Sequence, residues 1–168
     1  MKQRAHTEKK NAISPKTVSE TPQVERAISR LQAGKLRAAA QALGDCLLLE
    51  PHLAGTAKML GDAAENALRH LRVLGALQRD RGKAPLAAVD LPVYGYSLLE
   101  DADSHAPVVA KRILRERIRE WEETAALAEA LTAHVRGEAL RSALQQLSSD
   151  DREQLAALQA ALCRLERS

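Results

Sequence analysis

The residues of this chain best suited to chemistry are three carboxylate–histidine pairs: Glu65 with His70, Glu100 with His105, and Glu129 with His134. Carboxylate and imidazole together suggest a metal held inside a bundle of helices. Glu65, His70, Glu100 and Glu120 are the donors such a centre would draw on. The spacing argues against it. A dinuclear carboxylate site needs Glu-x-x-His, because side chains at i and i+3 project inward together, whereas five residues turn about 140° around the helix axis. His105 also stands four residues from Asp101, and His134 four from Glu138, which is the spacing of ordinary surface pairs.

Other chemistry finds no support. Cys46 and Cys163 are the only cysteines, far apart and each in an apolar context, so they read as small core residues rather than a zinc or redox pair. Gly34-Lys35 lacks the upstream glycine and the following Ser or Thr of a phosphate cradle. No Gly-x-Ser-x-Gly or dinucleotide fingerprint occurs. The expectation is a non-enzymatic protein with no cofactor.

Charge places the chain's basicity at one end. Residues 1–20 carry Lys2, Arg4, Lys9, Lys10 and Lys16 against Glu8 and Glu20, a surplus equal to the whole chain's net +3, so the remainder is neutral. This polar stretch with Pro15 has too little apolar surface to order itself and is expected to be a disordered tail. No apolar run reaches the ~18 residues of a membrane helix, so the protein is expected to be cytoplasmic. Arg112, Arg115 and Arg119 form the best candidate face for nucleic acid, but acids interleave them, which favours a self-paired surface.

The elements that must position any site are helices. Apolar residues make up 45% of the chain, yet there is no Phe, one Trp and two Tyr, and Ala and Leu dominate. Thr21-Pro22 reads as a helix start, with Val24, Ala27, Ile28 and Leu31 on one face until Gly34. A second helix is predicted to Pro51, and a third from there to about Arg81 on Ala57, Leu60, Ala64, Ala67, Leu71 and Leu74. Residues 81–92 read as the main loop, 94–103 as one or two turns, and Pro107 as a fresh start. The helix from Pro107 carries Leu114, Ile118, Trp121, Ala125, Ala128 and Val135 inward. Gly137 predicts a break, and Ser148-Ser149-Asp150-Asp151 predicts another helix start before the seam Leu155, Leu158, Leu162 and Leu165.

Residues 31–61 resemble a tetratricopeptide repeat. Gly34 stands at the family's inter-helix turn, Ala39 and Cys46 at small-residue positions, Leu43, Leu47 and Leu49 at apolar ones, and Glu50-Pro51 at the close. Ala54, Leu60 and Gly61 look like the opening of a second repeat, although Arg69 and His70 stand where its turn glycine would be. The resemblance implies a helical scaffold that binds peptides or helices of partner proteins in a groove.

Taken together, an all-α bundle or short repeat array of six to seven antiparallel helices is expected, with a tail over 1–20 and one helical domain over 21–168. Its expected function is that of an adaptor or chaperone-like protein with a protein partner. Arg30, Arg37, Gln41, Lys58, Asp62 and Arg69 are the candidate groove residues, and Tyr94 and Tyr96 form a second candidate contact. The C-terminal seam of Leu155, Leu158, Leu162 and Leu165 also has the spacing through which a helix can form a homodimer. A ferritin-like metal-holding four-helix bundle and a DNA-binding helical regulator are the alternatives from other classes.

Overall fold

Helix signals in the sequence are realised as fewer, longer helices. The structure, a computed structural model, describes residues 19–84 and 102–168. Within them lie four helices: α1 (Pro22–Leu49), α2 (Ala54–Asp80), α3 (Ala102–Thr132) and α4 (Glu138–Arg167). Each is about 40–46 Å long at 1.5 Å per residue. Thr21 Oγ1 accepts the Val24 N–H at 3.3 Å and Pro22 occupies the first turn. At the far end of α2, Gly82 adopts φ 68°, and the Gly82 and Lys83 N–H groups bond the Arg79 and Gln78 carbonyls, each at 2.9 Å. That is a Schellman ending, which favours glycine for steric reasons.

Several expected boundaries are corrected. Gly34 does not end a helix: α1 runs through it, and a Cβ placed there would touch Thr124 Cγ2 of α3 at 3.4 Å. Its small size serves close packing, which outweighs a propensity cost of about 1 kcal/mol. Pro107 does not start α3, which begins five residues earlier and loses one backbone bond near its start. Ser148–Asp151 starts nothing, since α4 is unbroken, whereas Gly137 is the boundary that holds, immediately before α4. Four described helices thus replace six to seven. Tyr94, Tyr96 and Glu100 lie outside the described residues, as do residues 1–18 of the expected tail.

Short turns pair α1 with α2 and α3 with α4 as antiparallel hairpins. Glu20 faces Arg136 and Gly137, Gly34 faces Thr124, and Gln41 faces Arg117, so α1 and α3 run antiparallel. His70 sits opposite Asp150, and Leu74 shares a groove with Ala143 and Leu147. The helices therefore stand in the ring order α1, α2, α4, α3. Since α2 and α3 are parallel and diagonal, the link between them joins opposite ends of the bundle.

The described core is divided in two. One apolar cluster is rich in alanine, including Ala38, Ala39, Ala42, Ala57, Ala63 and Ala64, closed by Leu60, Leu114, Trp121 and Leu158. The other uses larger aliphatics: Val24, Ile28, Leu31, Leu74, Leu131, Val135, Leu140, Leu144 and Leu147. Between them in the chain order of three helices lie buried polar residues, Lys35 on α1, His70 on α2 and Asp151 on α4. From the C-terminal seam, Leu158 belongs to the alanine-rich cluster, and Leu155, Leu162 and Leu165 pack against it.

Candidate functional site

The polar layer begins with a lysine on the apolar period of α1, one turn beyond Leu31 and one before Ala38 and Ala39. Lys35 and Asp151 are both fully buried, and the ammonium donates to both carboxylate oxygens. The Lys35 Nζ also lies 5.8 Å from the centroid of the buried Trp121 ring. Burial lowers the affinity of Lys35 for its proton and raises that of Asp151, while their mutual attraction opposes both shifts.

His70 carries this layer outward. Its Nε2 lies 3.0 Å from Asp150 Oδ2, so the neutral ring keeps its proton on Nε2 and turns the Nδ1 lone pair toward Asp151 Oδ1, 3.6 Å away. Nδ1 has no hydrogen-bond partner. Burial holds His70 below its ordinary value, against the bond to Asp150. Asp150 also accepts from Arg69 at 2.9 Å and from Gln146 at 2.6 Å. Burial acts to raise Asp150, but the bonds from His70 and Gln146 outweigh it and hold this carboxylate low.

Above these groups opens a groove of about 370 Å³ between α2 and α4, walled by Val73, Leu74, Ala143 and Leu147, with Arg69, His70, Gln146 and Asp150 beside them. Its polar side chains are already engaged with one another, so the surface left for a ligand is apolar. Catalysis by these residues is poorly served. Lys35 is sealed from solvent, and each ring nitrogen of His70 faces a carboxylate rather than a substrate.

A second buried cluster lies between α1 and α3. Arg117 donates to Gln41, with Asp45 at 3.4 Å, Glu120 at 2.9 Å and Glu116 at 3.6 Å. Burial pushes Asp45 up to about 6 despite the guanidinium, and raises Glu120 for the same reason.

The residues expected to form a partner site do not assemble as one. Arg30, Arg37, Lys58, Asp62 and Arg69 are exposed on their helices, with Lys58 paired to Asp62 at 2.7 Å. Gln41 is the correction: it is buried, bound to Arg117, because its position faces α3. Only Arg69 borders the α2–α4 groove. Of the metal-donor candidates, Glu65 is exposed while His70 is buried, as their divergent spacing requires, and Glu120 belongs to the Arg117 cluster. Among the described residues, no three His, Cys, Asp or Glu side chains converge as metal ligands. The sequence reading missed Lys35, Arg117 and Asp45, and took Asp151 for a helix start. The available signal was a charged residue recurring on the apolar period.

One long connection between two antiparallel hairpins is the arrangement of ferritin-like bundles, whose metals take a Glu from each of two helices and Glu-x-x-His from each of the other two. Here the inward positions do not fit. Ala67 precedes His70 by three residues, Ser148 precedes Asp151 by three, and Lys35 and Trp121 face the same layer. The chain matches no family model, and no curated protein is significantly similar to it. No helix among the described residues is long and apolar enough to cross a membrane.

Proposed function

We propose that this protein is a non-catalytic helical binder, an adaptor or chaperone-like protein, which receives an apolar side chain of a partner's helical segment in the α2–α4 groove. The observation that carries this reading is the groove itself. Val73 stays 45% exposed at its wall, beside Leu74, Ala143 and Leu147, while the neighbouring donors Arg69, His70 and Gln146 are engaged by Asp150. An aliphatic side chain seated there would replace water against four apolar walls, at roughly 25 cal/mol per Å² covered.

A nuclease-treated capture from the native host, read by mass spectrometry, identifies the partner. Val73→Glu and Ala143→Glu then decide the site. Each places a charge in the groove, where it leaves thermal stability nearly unchanged and weakens the identified complex by more than about tenfold, or 1.4 kcal/mol. Full affinity retained by both variants would place the binding surface elsewhere.

A further inference from the structure

The four-helix ring leaves each helix one side turned to solvent, and on α1 that side carries an apolar stripe. Leu43 is 49% exposed and Leu47 67%. With the half-buried Leu36 and Ala40 they recur at steps of four, three and four, the seam spacing of two helices packed side by side. Within the bundle α2 and α3 take the flanks of α1, and α4 lies diagonally behind it, so the stripe is left to solvent. The leucines of the α4 seam have no such freedom, because they are turned to the alanine-rich cluster. Leu68 of α2, 37% exposed, widens the patch. It stands level with the Leu36 turn by the register that sets Gly61 against Cys46 and Gln78 against Glu25.

The same period continues to Ala33, Ser29 and Arg26 at one end and to Glu50 at the other, where the backbone keeps a helical conformation. The two ends are opposite in charge. Arg26 reaches only the Pro22 carbonyl, and neither it nor Glu50 has a countercharge among the described residues. Size is graded as well, with small residues toward Arg26 and leucines toward Glu50. A stripe with both asymmetries is complementary to its own reverse. Laid antiparallel on a second copy with Arg26 on the partner's Glu50, it sets Leu47 on the partner's Ser29, Leu43 on the partner's Ala33 and Leu36 on the partner's Ala40, a large side chain on a small one in each layer. The two-fold axis repeats every layer. A parallel pairing would instead bring like charges together at both ends.

We propose that the outer face of α1 is the interface of an antiparallel homodimer, its occupant a second copy of this chain. The inference is independent of the groove reading, since the α2–α4 groove opens on another side of the ring and stays clear on both copies.

Sedimentation velocity of the full-length protein from about 1 to 300 µM tests it. The 18.3 kDa chain is expected to pass to twice that mass as concentration rises, with a Kd in the micromolar range suited to a small interface. Leu43→Glu and Leu47→Glu, both at exposed positions, should keep the Tm and weaken association by more than about tenfold, because each buries two unpaired charges in the seam. Arg26→Glu and Glu50→Arg each bring a charge that the α1 dipole favours at that end, so neither should lower the Tm. Each should nevertheless weaken self-association by about three- to tenfold, since like charges then meet at both ends of the interface. Mixed in equal amounts, these two variants should pair with one another at wild-type affinity, and Arg26→Glu/Glu50→Arg should self-associate as wild type does. A monomer throughout the range, a dimer that survives both leucine substitutions, or charge reversals that neither weaken pairing nor restore it on mixing would each overturn the assignment.

Discussion

Lys35 and Arg117 are both buried cations on core-facing positions, but their surroundings differ in balance. Lys35 meets a single carboxylate at the centre of the bundle, where neither partner reaches solvent. Arg117 sits nearer an edge with Asp45, Glu116 and Glu120 around it, so the acids outnumber the cation. The difference separates two uses of buried charge. A closed one-to-one pair adds little net stability over apolar packing yet penalises any register that separates its members. In a cluster where one cation serves several acids the guanidinium does not offset burial, and Asp45, pushed up to about 6 by burial first and by Glu116 second, is where the cluster takes up a proton as pH falls.

The sharpest way to break this contrast is to remove each cation in turn. Lys35→Met leaves Asp151 buried and uncompensated and should cost about 3–5 kcal/mol in urea unfolding, whereas Lys35→Met/Asp151→Leu should recover most of that loss. Arg117→Met should cost less, about 2–3 kcal/mol at pH 8, because Glu116 and Glu120 are partly solvated. Its cost should shrink at pH 5, where Asp45 is protonated. Equal costs for the two single variants, unchanged by pH, would erase the distinction.

Two smaller effects sharpen it. Glu20 is a buried carboxylate outside both clusters, and it accepts the Arg136 N–H at 2.9 and 3.0 Å and the Gly137 N–H at 2.9 Å, at the start of α4. Glu20→Ala should cost about 1–2 kcal/mol, measured by thermal unfolding, because it orphans two amides at a positive helix end. Asp45→Asn should act in the opposite direction. The folded value of Asp45 lies above its ordinary 3.8, so its favourable contribution is complete below that value and is lost as pH rises through about 6. Replacing it should stabilise the protein by about 1 kcal/mol at pH 8 and flatten the stability profile between about pH 4 and 7.

Helix content and the inward faces were legible in the sequence because they rest on composition and period. Ile28, Leu31, Leu60, Leu74, Leu114, Trp121, Leu144 and Leu158 are all buried on the faces where periodicity places them. Helix ends were less legible, because a local signal has two physical uses. Gly34 can turn a chain or let two helices touch, and only the presence of Thr124 across the contact selects the second. Ser148 to Asp151 can cap a helix or, in mid-helix, carry a buried carboxylate to a lysine 116 residues away. Gln41 was placed on an exposed face because nothing nearby in the chain reveals Arg117 opposite it. The groove was illegible for the same reason, since Val73 and Ala143 meet only after the hairpins pack.

The placement of the helix ends also has a mechanical meaning. The N-terminal end of α1 and the C-terminal end of α4 lie at opposite poles of a rod about 45 Å long. Tension applied between them would run lengthwise along the hairpin interface and load it in shear instead of peeling one helix away at a time. The bonds that cross that interface, Lys35 to Asp151, Arg117 to Gln41 and Glu20 to the start of α4, would then share the force in parallel, as rungs of a strut.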